Sequence, residues 1–321
     1  MLVNRGVETS DGMPTGFGGR FPPSATIVLA LSARRPISRR KDWLMAVRST
    51  FRIASLVLAL GVLADIPSAA AQQCISNASQ FPQWLEAFKQ RARAAGISPA
   101  AIERGLAGIT YNPTVISLDR NQKSMRLSFE DFYRRRVSDA MISRGRSWIA
   151  QNRALSNRIE QQFGVPMEII VSIWALETNF GAQKGNLPII RSVATLASDC
   201  RRQAFFENEL MAALKIVERD ELPLTQMRGA WAGEIGQTQF MPSSYVTYAV
   251  DYDGDGRSNL VSSVPDVLAS TANFLRRKGW QRGAGWEEGT ANHGVLREWN
   301  KSGVYMRTIG VMANRMRAGG A

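Results

Sequence analysis

The chain has 321 residues, of which 45% are hydrophobic and 21% charged, with Gly and Pro at ordinary levels. This balance fits a soluble globular protein of one large domain or two modest ones and excludes a chain disordered by composition. The formal charge of +13 favours anionic partners, and nucleic acid, a membrane surface and acidic polymers all qualify on charge alone.

Residues 1–44 are rich in Gly, Pro, Ser and Arg and show no sustained periodicity, so a disordered, non-native extension ahead of a true start at Met45 is expected. From Met45 the chain reads as a secretory signal. Arg48 and Arg52 supply a basic segment, residues 53–64 an uncharged apolar run, and Ala69-Ala70-Ala71 the small residues for cleavage near Ala71. The run is shorter than the roughly 20 residues a membrane-spanning helix needs, so no transmembrane segment is expected after cleavage. A buried core helix is the plainer alternative, but it leaves the order of the three blocks unexplained. Residues 1–71 hold nine Lys/Arg and four Asp/Glu, so residues 72–321 keep a formal charge of +8. Export and the reduced charge together count against nucleic acid as a partner.

Two cysteines follow the signal, Cys74 and Cys200. An even count in an exported protein favours a disulfide between them over two buried thiols. A lipid anchor on Cys74 is not expected, because Gln73 stands where a small residue is needed.

Beyond the signal, the spacing of Phe81, Trp84, Leu85 and Phe88 predicts helix within 80–107, with Ser98-Pro99 as a second helix start. Residues 109–122 read as less regular, and 129–162 as one long Arg-rich helix. Gly164-Val165-Pro166 then breaks the chain before a far more apolar helix. Further helices are predicted over 203–217, 264–278 and 304–316, with a Gly- and Gln-rich loop over 228–242 and His293 in a Gly-flanked loop. With little strand signal and no repeat, the fold class is mainly α.

The chemistry-bearing residues narrow by elimination. With His293 as the single histidine, paired-histidine zinc sites are excluded, and no G-x-S-x-G elbow is present, so acid/base work falls on carboxylates. Glu177 ends the apolar helix, where residues 169–176 include one polar side chain, Ser172. Low dielectric and the negative helix end both disfavour its charged form. A carboxylic acid kept protonated suits donation to a glycosidic oxygen, and a structural glutamate paired with Arg191 or Arg202 is the alternative. In the loop 229–245, glycines allow close backbone approach, Gln237, Thr238 and Gln239 offer neutral donors and acceptors, and Trp231, Phe240 and Tyr245 offer flat faces. A purely structural loop is the other reading, and Glu234 there is a second candidate acid. Asp251, Asp253 and Asp255, with Gly256 at the sharp turn and the Arg257 carbonyl next, match the start of an EF-hand-like calcium loop. Its usual closing acid is replaced by Ser262, leaving Asp266 to complete the site.

Three ordered stretches, GVPMEIIVSIWALETNFG, GAWAGEIGQTQFMPSSY and DYDGDGRSNL with PDVLASTANFL beyond it, resemble the lytic murein transglycosylase B family of the lysozyme-like (α+β) superfamily. The resemblance runs from about Phe81 to the C-terminus and implies one catalytic domain over 72–321, acting on peptidoglycan glycan strands in the periplasm. It implies Glu177 as the single acid/base and substrate contacts at Gln239, Tyr133, Trp299, Asn300 and Tyr305. For structural Ca2+ it implies Asp251, Asp253, Asp255, Arg257 through its carbonyl, and Asp266. The implied reaction splits the MurNAc–GlcNAc bond without water to leave a 1,6-anhydroMurNAc end. Hydrolysis with Glu234 as partner, or a non-catalytic peptidoglycan binder, are the alternatives. Ala230 and Phe274 stand where the family has a cleft serine and a cleft tyrosine, the calcium loop is one residue longer than in some members, and the segment between Trp280 and Trp299 is too short for the small β domain of longer members.

Overall fold

A helix apolar on every face is stable only at the centre of a protein, and α7 (Met167–Thr178) takes that place. Ten of its twelve residues are buried, and only Glu168 and Glu177 reach solvent in part. The computed structural model describes residues 74–122 and 127–319. The extension expected over 1–44 and the signal expected over 45–71 lie outside the described residues.

The chain reaches α7 through α1 (Phe81–Ala94), α2 (Pro99–Leu106), α3 (Pro113–Arg120), α4 (Phe129–Arg136), α5 (Asp139–Gln151) and α6 (Arg153–Phe163). After it come α8 (Ile189–Ser198), α9 (Gln203–Glu218), α10 (Pro242–Tyr248), α11 (Val264–Arg277), α12 (Ala291–Trp299) and α13 (Gly303–Ala318). Two short antiparallel strands, β1 (Leu187–Pro188) and β2 (Arg228–Gly229), tie the segment after α7 to the Gly-rich loop. The fold is therefore mainly α with little strand.

Helix α7 packs against α5, α6, α11 and α13, while α8 and α9 pack together and gather α1, α2, α3 and α10 around them. One hydrophobic core joins both groups. Burying a Leu, Ile or Val side chain contributes about 1.5–3 kcal/mol, so the unbroken apolar run of α7 sets its depth more firmly than any cap.

Three predictions are corrected. The single helix expected over 129–162 is three, because Ser138 turns extended and its hydroxyl accepts from the Met141 N–H to start α5, and Asn152 separates α5 from α6. Periodicity continues across such breaks because the core faces of successive helices stay apolar. Residues 109–122, expected to be irregular, contain α3. It starts on Asn112-Pro113, a side-chain cap followed by proline at the first helical position. His293 likewise lies on α12, its N–H donated to the Thr290 cap.

Cys74 and Cys200 are bonded, with their Cα atoms 4.9 Å apart. Beside the bond, the Ile75 N–H donates to the Ser198 carbonyl at 2.8 Å. The first described residues are thereby fastened to the end of α8.

Candidate active site

Helix α7 stops abruptly one residue past Glu177. Asn179, Phe180 and Gly181 follow with φ of +50°, +58° and +81°. Left-handed backbone is costly for Asn and more so for Phe, roughly 1–2 kcal/mol per residue, and such outliers concentrate at functional sites. Here the cost is offset by anchoring. The Phe180 ring packs edge-on against Trp174 at 5.3 Å, and the Gly181 N–H donates to the Thr178 hydroxyl at 2.9 Å. Gly181 also lies against the Gln237 side chain, where a Cβ would collide. The turn leaves Glu177 on the last turn of a rigid helix, partly exposed.

Its carboxylate is held from across the fold. The Trp299 Nε1–H and the Tyr305 hydroxyl both donate to Glu177 Oε1, each at 2.9 Å. Trp299 ends α12 and Tyr305 lies in the first turn of α13. Between them Asn300 closes the connection, its Oδ1 accepting from the Ser302 N–H at 3.0 Å. Both donors are 1% exposed. The Trp299 ring is wedged edge-on against Phe240 and Phe274 at 5.4 and 5.1 Å, and Tyr305 meets Phe132 at 6.1 Å. An indole N–H can donate but never accept, so Oε1 is fixed as an acceptor. No described residue donates to Oε2.

The alternative role for Glu177, an ion pair with arginine, is not formed among the described residues. Arg191 donates to the Thr110 and Tyr111 carbonyls, and Arg202 pairs with Asp119. Phe274, which backs Trp299, also forms one wall of a depression of about 280 Å³ shared with Ser243, Tyr248, Lys278 and Glu298.

The remaining predicted contacts are placed differently from one another. Trp299 and Tyr305, expected to meet substrate, are almost fully buried and donate to the Glu177 carboxylate. Asn300, 2% exposed, shapes their turn. Gln239 is 2% exposed with φ +56°, and its Nε2 donates to the Gly236 and Lys184 carbonyls at 2.8 and 3.2 Å, leaving Oε1 as the acceptor. Tyr133, half-buried on α4, accepts from Arg315 at 3.1 Å and does not hydrogen-bond to Glu177. Sequence reasoning missed the role of Gln237. Its Oε1 accepts from Trp174 Nε1 at 2.9 Å, and its carbonyl accepts from the Thr178 hydroxyl at 2.5 Å, so it docks the Gly-rich loop onto α7. No local pattern marks that residue, since its partners lie about sixty residues away.

The carboxylates of Asp251, Asp253 and Asp255 converge to within 4.8 Å of one another. Three hard oxygen donors on an exposed turn fit a hard divalent cation. Asp266, expected as the closing ligand, is not in this cluster. It is fully buried, and its two oxygens accept from the Tyr252, Asp253 and Asn259 N–H groups. Its carboxyl is raised above the usual carboxylate range, chiefly by burial, with the backbone donors opposing and the nearby Asp253 charge adding to the rise. Asp266 thus pins both ends of the loop to the start of α11. The Arg257 guanidinium turns away to Asp220 at 3.1 Å.

Several known proteins resemble this chain. SltB3 from Pseudomonas aeruginosa, in complex with NAG-anhNAM-pentapeptide, is similar with a TM-score of 0.70 at 29% identity, over 75% of this chain and 80% of that one. The Escherichia coli lytic transglycosylase Slt35 in complex with calcium shares the fold, with a TM-score of 0.65 at 23% identity over 79% of this chain and 98% of that one. Membrane-bound lytic murein transglycosylase B of Escherichia coli (strain K12) is 32% identical over 213 residues, 66% of this chain and 53% of that protein. The chain therefore spans about half the length of that curated relative. The family described as "Transglycosylase SLT domain" matches residues 80–290, and the chain belongs to it.

Proposed function

We propose that the chain is a peptidoglycan lytic transglycosylase in which Glu177 is both acid and base. The observation that carries this reading is the donor-only Trp299 N–H, together with Tyr305, on one oxygen of Glu177. In this reading the transferable proton is carried on Oε2, the oxygen to which no described residue donates. From there it passes to the oxygen joining MurNAc C1 to GlcNAc, and the C1–O bond breaks with its electron pair leaving on that oxygen. The Glu177 carboxylate then takes the proton of the muramyl C6 hydroxyl, whose oxygen bonds to C1. The products are a GlcNAc hydroxyl end and a 1,6-anhydroMurNAc end. No water enters, which is why one carboxyl group serves where glycosidases commonly use two.

The Asp251, Asp253 and Asp255 carboxylates, with the Arg257 carbonyl, would hold a Ca2+ ion, whose contribution is to rigidify the loop entering α11. Export through the 45–71 signal to the periplasm, without a lipid anchor, accords with a glycan-strand substrate. No helix among the described residues is long and apolar enough to cross a membrane. Mass spectrometry of fragments released from purified sacculi tests the reading. Anhydro products are expected. Products heavier by one water would establish hydrolysis instead, and no release at all would leave a glycan-binding protein.

A further inference from the structure

The positive charge of the described residues is not spread evenly. They carry 29 Lys/Arg against 23 Asp/Glu, an excess of six. Helices α4, α5 and α13 hold eight arginines against Glu130, Asp131 and Asp139, which is five of that excess. These helices share one region, since α13 packs against both α4 and α5. Ion pairing there uses Arg134 with Asp131, Arg315 with Asp139 and Arg317 with Glu168. Arg135, Arg144 and Arg307 form no ion pair with a described carboxylate.

Two of these cations are seated on aromatic rings. The Arg144 guanidinium lies over Phe180 at 4.5 Å, and that of Arg307 over Phe129 at 4.0 Å. Stacking holds a guanidinium by its face and leaves its N–H edge directed outward, the arrangement that takes a carboxylate with two parallel hydrogen bonds. Contacts tie this region to the end of α7. Phe180 belongs to the turn that follows Glu177, Arg136 on α4 donates to the Leu176 carbonyl at 2.6 Å, and Phe132 on α4 meets the Tyr305 ring at 6.1 Å.

We infer that the α4–α5–α13 face, through Arg144 and Arg307, is a carboxylate-binding subsite that recognises the acidic peptide carried by the strand being cut. The inference rests on the proposed cleavage at muramyl C1, because the same sugar bears its peptide through the lactyl group at C3. Carboxylates of that peptide are therefore carried on the sugar being cut, on a flexible tether that lets them reach the arginines of this face. An anionic lipid surface would also attract these arginines, but docked there it would cover the approach to Glu177.

The test measures binding rather than turnover, so it stands even if Glu177 chemistry is misassigned. The Glu177→Gln protein is titrated with soluble peptide-bearing glycan strands and with the same strands after their carboxylates are converted to primary amides. Native strands should bind about tenfold more tightly at low salt, and the gap should close as salt rises towards about 0.5 M. Adding Arg144→Gln and Arg307→Gln should erase the gap while leaving the affinity for amidated strands in place. Equal affinities for the two polymers, a gap indifferent to salt, or a gap that survives both substitutions would each overturn the inference. So would a double variant that keeps its strand preference but loses binding to phosphatidylglycerol vesicles, which would assign the face to a lipid surface.

Discussion

Glu177 accepts from donors 122 and 128 residues away in sequence. The carboxylates of Asp251, Asp253 and Asp255, by contrast, accept from N–H groups two to five residues away. The two acidic regions are thus built by opposite routes. In the loop, the chain folds around its own carboxylates, and a cation would complete what the backbone has begun. At α7, a single carboxylate is immobilised by side chains that meet it only after α12 and α13 have docked. A locally built site can vary without disturbing the core, whereas a site assembled from distant helices inherits the rigidity and the fragility of their packing.

That contrast can be broken at either end. The largest effect is expected for Glu177→Gln, which keeps the shape and the hydrogen-bond acceptor but removes the transferable proton. Turnover on sacculi should fall by at least about 10³-fold, within the range for a lost general acid/base, with the thermal midpoint nearly unchanged. Comparable turnover in that variant would remove Glu177 from the mechanism. Asp266→Ala should act on stability, because it strands three backbone N–H groups in or near the interior. A loss of about 2–4 kcal/mol in urea unfolding is expected, with turnover per folded molecule retained at permissive temperature.

Trp299→Phe sharpens the comparison, since the ring packing on Phe240 and Phe274 survives while the N–H is lost. Removal of a hydrogen bond to a charged group, worth about 1.5–3 kcal/mol, should lower kcat roughly 10- to 100-fold with KM little changed. An equal loss expressed wholly in KM would make Trp299 a substrate contact after all. The smallest effect belongs to the loop. At millimolar Ca2+ the protein should gain about 1 kcal/mol, and Asp255→Asn should abolish that gain without altering stability in chelator. A calcium-independent melting temperature in the parent protein would dismiss the ion.

The two regions also differ in how well they could be read. The turn of Asp251, Asp253, Asp255 and Gly256 is a pattern of neighbours, and its carboxylates converge as the spacing predicts. For Asp266 spacing reports reach, not direction: it lies within range of the turn, and its oxygens accept from backbone donors at the start of α11. Glu177 stood out as a lone acid closing an apolar run. What surrounds it did not, for Trp299 and Tyr305 entered through family resemblance as substrate contacts. Gln237 was grouped with ligand-facing polar residues, although its amide is committed to Trp174 and the Val261 carbonyl.

By itself the sequence determined a mainly helical chain centred on residues 167–178, the carboxyl group placed at the end of that helix, the acidic turn and the family. Each of these is set by periodicity, composition or neighbours along the chain, which act over a few residues. Tertiary structure alone decided which oxygen of Glu177 accepts from Trp299 and Tyr305, that Asp266 is a staple, and that five of the six net charges of the described residues gather on α4, α5 and α13. Those features depend on side chains brought together by burial of the common core, and the direction in which a helix presents its polar edge is fixed only when its apolar face has found a partner.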